Sequence, residues 1–146
     1  MPEHAAMHVY PAESTSLLSE VRRFVADASE PYLEQPSIQD LVLAVTEACA
    51  NAIRHSGSPE IRVTIAGDGA CVEITIEDDG IYRMTLPVVD GDDGSHRGMY
   101  LMVAMVDDFS LQRGTTANAG TTVRLLKCAL GPAHRAISTS TATSSS

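Results

Sequence analysis

Two periods of hydrophobic and polar alternation run along this chain, and the switch between them organises it. From Leu41 to Ser56 the period is helical. Leu41, Val45, Ala48 and Ala52 recur at helical spacing as a core-facing stripe, with Val42, Cys49 and Ile53 widening one side. Pro36, a candidate N-cap at Ser37 and Asp40 three residues on predict where this helix begins. Gly57-Ser58-Pro59 predicts where it stops. Upstream, Leu17, Leu18, Val21, Phe24, Val25 and Ala28 keep the same spacing behind candidate caps at Ser14 or Ser16. Met7 to Pro11 reads as a short edge strand that the proline ends.

After Pro59 the period becomes two. Ile61, Val63 and Ile65 alternate with Arg62 and Thr64, and Val72, Ile74 and Ile76 alternate with Glu73, Thr75 and Glu77. With a turn at Gly67-Asp68-Gly69 this predicts a half-buried antiparallel hairpin, closed by Asp78-Asp79-Gly80. Tyr82 to His96 reads as loop. A short helix is expected from about Arg97 and Gly98, with Met99, Met102, Val103 and Val106 inward. Phe109–Arg113 and Thr121–Cys128 should form a last strand pair, joined through Gly114 to Gly120. Beyond Gly131 the pattern ends in Ser, Thr and Ala, so residues 1–130 are expected to form one domain and residues 131–146 a disordered tail. Helices early and antiparallel hairpins later predict an α+β, two-layer α/β sandwich: a mixed, mostly antiparallel sheet covered on one face by helices.

Charge and cysteine content narrow the function classes. Ten basic against nineteen acidic residues give a net charge of −9, which disfavours a nucleic-acid partner. No apolar run approaches the roughly 18 residues of a membrane span, and no signal-peptide pattern opens the chain. Cys49, Cys71 and Cys128 are odd in number, widely spaced and set among apolar residues. They read as buried thiols in a reducing compartment, hence a soluble, cytoplasmic protein.

The candidate chemistry sits on polar residues at the edge of the central helix. At about 100° per residue, Glu47, Asn51 and His55 form a row along the margin of the apolar stripe, beside the small Ala44, Ala48 and Ala52. A carboxamide oxygen can ligate a hydrated divalent metal, and a carboxylate one turn away can orient or deprotonate a hydroxyl. Asp78, at a strand end, can accept a hydrogen bond from an exocyclic amine, and Gly80 lets a flat ring approach; the same residues also suit an ordinary turn. Gly94-Ser95-His96-Arg97-Gly98 before a helix suits a phosphate on free N–H groups, with Arg97 as a charge contact. The hydroxyls of Gly120-Thr121-Thr122-Val123 could reach a phosphate or support Asp78.

Taken in order, Thr46-Glu-Ala-Cys-Ala-Asn-Ala-Ile-Arg-His55, Ile76-Glu-Asp-Asp-Gly80, Arg97-Gly-Met-Tyr-Leu-Met-Val103 and Gly120-Thr-Thr-Val-Arg124 resemble the ATP-site boxes of the GHKL ATPase superfamily. The nearest likeness is to its stand-alone bacterial anti-sigma-factor serine/threonine protein kinases. The resemblance implies ATP and Mg²⁺ as cofactors, Asn51 as the metal ligand and Glu47 as the catalytic base. It implies that Asp78, Gly80, Arg97, Gly98, Met99 and Thr122 shape the nucleotide site. It also implies a homodimer that phosphorylates an anti-anti-sigma antagonist and sequesters a sigma factor. Departures stand at Ile81 and Tyr82, where a further glycine is usual, and at His96, where the family tends to carry glycine. With the acidic Asp90, Asp92 and Asp93, they leave a second reading: a non-catalytic anti-sigma module with weak or vestigial nucleotide binding.

Overall fold

The computed structural model describes residues 4–55, 57–80, 102–114, 117 and 120–129. In chain order the elements are β1 (His4–Pro11), α1 (Leu17–Ser29), α2 (Gln35–His55), β2 (Glu60–Asp68), β3 (Cys71–Asp78), β4 (Asp108–Gln112) and β5 (Thr121–Cys128). The five strands form one sheet in the order β1-β2-β3-β5-β4. All four pairings among these described strands are antiparallel, so the parallel component expected of a mixed sheet is absent from them. The architecture is α+β, as the switch of period predicts.

Period-two alternation decides which face the helices cover. Ile61, Val63, Ile65, Val72, Ile74, Ile76 and Leu125 are buried on one face, against Leu41, Val45 and Ala48 of α2 and Val21 and Val25 of α1. Deep burial of such side chains contributes about 1.5–3 kcal/mol each. The α2 stripe is therefore what seats the helix pair on the sheet.

Several expectations shift by a few residues. Helix α2 starts at Gln35, ahead of the expected cap at Ser37; its first turn is closed by the Ile38 N–H donating to the Glu34 carbonyl at 3.0 Å. Pro36 is tolerated there because first-turn N–H groups have no intrahelical acceptor. Asp40 does not close a capping box: it faces Lys127, whose Nζ lies 3.5 Å from Oδ2 and donates to the Met105 carbonyl at 2.9 Å. The hairpin turn is Gly69-Ala70, not residues 67–69, because Gly67 remains in β2 opposite Val72. There a Cβ would lie 2.3 Å from the Tyr32 ring, so any side chain at this position would require that ring to shift. The turn of helix at residues 102–105 buries Met102 but leaves Val103 50% exposed, against the inward placing expected of it.

The cysteine reading is corrected. Cys71 and Cys128 face each other across β3 and β5 and form a disulfide, with an S–S distance of 2.02 Å. Spacing along the sequence hides this pair, because only the β3–β5 register brings the two together. The argument from free thiols to a reducing compartment therefore fails. Among the described residues no helix is long and apolar enough to cross a membrane. Cys49 is the free cysteine, and full burial pushes its thiol up to about 12.

At the other end of β3 and β5 three glycines meet. Gly80 accepts at its carbonyl from the Gly120 N–H at 3.0 Å, and Gly114 lies against both. A Cβ at Gly114 would sit 2.5 Å from the Gly80 oxygen and 2.6 Å from the Gly120 nitrogen, both backbone atoms that cannot rotate aside.

Two outcomes are expected from this arrangement. Thiol titration should find no reactive cysteine in the native protein, one after denaturation without reductant, and all three once reductant is added. Gly114→Ala should lower unfolding free energy by about 1–3 kcal/mol, the usual cost of overpacking, in a urea melt.

Candidate functional site

Between α2 and the β3–β5 end of the sheet lies a pocket lined by Ala48, Asn51, Ala52, Ile76, Asp78, Met102, Phe109, Leu111, Thr121 and Val123. The small side chains at 48 and 52 recess one wall, and Asn51 emerges between them. Helical spacing puts all three on the sheet-facing margin of α2. Asn51 is only 2% exposed. Its Oδ1 accepts a hydrogen bond from Arg54 at 2.5 Å, and its Nδ2, though buried, has no hydrogen-bond partner. An orphaned buried donor of this kind costs about 1–3 kcal/mol, and such groups are rare enough to call for a reason.

Opposite Asn51, β3 delivers Asp78, buried to 3% exposure. Its Oδ1 accepts from the Gly80 N–H at 2.8 Å, folding the Asp78-Asp79-Gly80 corner back onto the carboxylate. Asp79 points outward to Arg62, 3.1 Å away, and that hydrogen bond raises the Arg62 pKa above its ordinary value. The two neighbouring aspartates thus have separate tasks. Thr121 pairs with Asp78 in the β3–β5 register. Its Oγ1 accepts from the Gly114 N–H at 3.0 Å and lies 3.4 Å from the Gly80 carbonyl. A carboxylate, a carboxamide and a hydroxyl therefore converge in an otherwise apolar pocket.

The sequence-predicted residues are distributed unevenly around it. Asn51 and Asp78 are brought together; Gly80 does not line the pocket but donates its N–H to Asp78. Glu47 is half-buried but does not line the pocket; it borders a broad groove between α1 and α2, beside Arg22, Arg23 and Thr46. Thr121 lines the pocket, whereas strand alternation turns Thr122 to the opposite face of the sheet. Arg97, Gly98 and Met99 lie outside the described residues, as do His96, Asp90, Asp92, Asp93, the His55 side chain and the 131–146 tail. Phe109 and Leu111 were not singled out by the sequence, and Thr121 was offered only together with Thr122. The pairing of β3 with β5 is the signal that would have found Thr121.

The chemistry of the walls fits a nucleotide base better than their spacing does. A buried carboxylate can accept from an exocyclic amine, and apolar side chains suit a flat ring. The cavity itself is about 10 Å³, room for about one water molecule. A purine would enter only by displacing part of the wall, and Met102, buried and unbranched, is the side chain best able to move. Among the described residues no cluster of three or more His, Cys, Asp or Glu could hold a metal by itself. The Asn51 oxygen suits a cation that brings its other ligands with it, as Mg²⁺ does when it carries waters and phosphates.

The family model of the histidine kinase-like ATPase domain matches residues 10–127. No curated protein matches the chain. Among solved structures, the RsbU and RsbW domains of Rv1364c from Mycobacterium tuberculosis align with a TM-score of 0.61 at 21% identity. The alignment covers 87% of this chain and 33% of that one, so this chain spans about a third of its structural neighbour. At that identity the likeness bears on the fold. The chain belongs to the histidine kinase-like ATPase domain family, of GHKL type.

Proposed function

We propose that this protein is an ATP-dependent serine/threonine protein kinase of the anti-sigma type. It would transfer a phosphoryl group to a small anti-anti-sigma antagonist and sequester a sigma factor, acting as a homodimer. The observation that carries the reading is the convergence of Asn51, Asp78 and Thr121, from three distant stretches of chain, in one pocket of a family whose members use ATP.

Asp78 would accept the exocyclic amine of adenine, held at that angle by the Gly80 N–H on its Oδ1. Ala48 and Ala52 would leave room for the ring, with Ile76 and Val123 below it. Bound Mg²⁺ would supply neutralisation of phosphate charge, with Asn51 as its protein ligand. Arg97, Gly98 and Met99 would close over the phosphates. Glu47, one turn before Asn51, would orient or accept the proton of the attacking hydroxyl. A hydroxyl presented from a docked protein would reach Glu47 from the α1–α2 side, where that carboxylate lies.

The second reading, a partner-binding module without turnover, is favoured by two observations. The cavity is nearly closed, and Glu47 lies outside its lining.

Calorimetry with ATP separates the two. On the kinase reading the wild type binds, and Asp78→Asn weakens binding by about ten- to a hundredfold, the worth of a hydrogen bond to a charged group. Glu47→Ala should keep affinity within about twofold while transfer from γ-labelled ATP falls by about a hundredfold or more. Unchanged transfer by Glu47→Ala removes that residue from the mechanism. No heat of binding for the wild type at millimolar ATP favours the partner-binding module.

A further inference from the structure

We infer that Arg54 is a positioning residue: it holds the Asn51 carboxamide with its oxygen turned away from the pocket, so that a nucleotide-bound cation must displace it. The inference rests on the ATP-site reading and adds a control point to it.

A guanidinium has five N–H donors and no acceptor, so whichever end of a carboxamide it touches must be the oxygen. Arg54 stands three residues after Asn51, a spacing that makes helix side chains neighbours, and it donates to Oδ1 at 2.5 Å. The other end of the amide is thereby committed. Nδ2 is left buried without a partner, and Asn51 lines the pocket. No hydrogen bond to Nδ2 rewards that orientation; the contact that fixes it is the guanidinium on Oδ1.

The consequence is a difference between two kinds of ligand. In the present orientation Asn51 can offer a pocket ligand an N–H donor, which suits a bare oxygen. A divalent cation requires the oxygen instead, and it is repelled both by the amide hydrogens and by the neighbouring guanidinium. Cation binding therefore needs the Arg54 contact to break, and the amide to turn if its oxygen is to face the pocket. The exposed position of Arg54 lets it leave into water without stranding a buried charge. Asn51 is thus a ligand whose availability another side chain sets.

The test compares wild type with Arg54→Met and Arg54→Lys by calorimetry, using a non-hydrolysable ATP analogue in Mg²⁺ and, separately, in EDTA. Arg54→Met should tighten binding in Mg²⁺ by about three- to tenfold, the equivalent of one hydrogen bond released, and leave binding in EDTA unchanged. Arg54→Lys, still a donor without an acceptor, should stay near wild type. If Arg54→Met weakens binding in both media, Arg54 contacts the nucleotide: the inference is overturned while the ATP-site reading stands. A wild type that binds in neither medium overturns the ATP-site reading and the competition with a cation alike. The positioning contact has its own readout in ligand-free protein. Arg54→Met should shift the Asn51 side-chain amide resonances in a ¹⁵N-correlated spectrum, and unchanged resonances would overturn the contact itself.

Discussion

Everything at the pocket depends on how α2 is seated. Its apolar stripe, Leu41, Val45 and Ala48, is buried against Ile74, Ile76 and Leu125, and that contact fixes the rotation of the helix about its own axis. Rotation in turn decides what faces the sheet at the far end, where the stripe runs out into Ala52 and the side chain beside it is an amide. A turn of about one residue, roughly 100°, would carry Asn51 to the surface. The hydrophobic contact therefore does the aiming, and the polar chemistry inherits its direction.

Much of this was legible in the sequence because periodicity reports burial directly. The two helices, the β2–β3 hairpin and the final strands follow from spacing alone, and so does the recessed margin that carries Asn51. What escaped was pairing between strands that are distant along the chain. Cys71 with Cys128, and Asp78 with Thr121, are partners in one β3–β5 register. No local pattern announces either pair. Which of Thr121 and Thr122 faces the pocket was hidden for the same reason: without a strand partner, the phase of the alternation is unassigned. The start of α2 was misplaced because Ser37 and Asp40 have the chemistry of a capping box, while Pro36 is equally content inside a first turn. Asp40 instead faces a lysine 87 positions away.

The pocket combines groups that resist burial with walls that discourage water. Asp78 meets the difficulty with the Gly80 N–H, and Thr121 with the Gly114 N–H. Asn51 meets only half of it, which marks the amide as the unfinished part of the site. The glycine at 114 lets backbone approach backbone at this corner, where a Cβ would meet the Gly80 oxygen and the Gly120 nitrogen. Polar satisfaction here is largely backbone work, so the corner is stiff while the Met102 side is adaptable.

The disulfide has a topological consequence. Cys71 and Cys128 close a loop with a sequence separation of 57, which on a chain-entropy account stabilises the fold by about 4 kcal/mol. Seven of the ten pocket residues, from Ile76 to Val123, belong to that loop; Ala48, Asn51 and Ala52 do not. A polypeptide nicked anywhere between the two cysteines would still be one covalent molecule, with both cut ends tethered to the sheet. The ring of chain that carries most of the pocket could thus be opened, or lengthened by insertion, without shedding the strands that give it its shape.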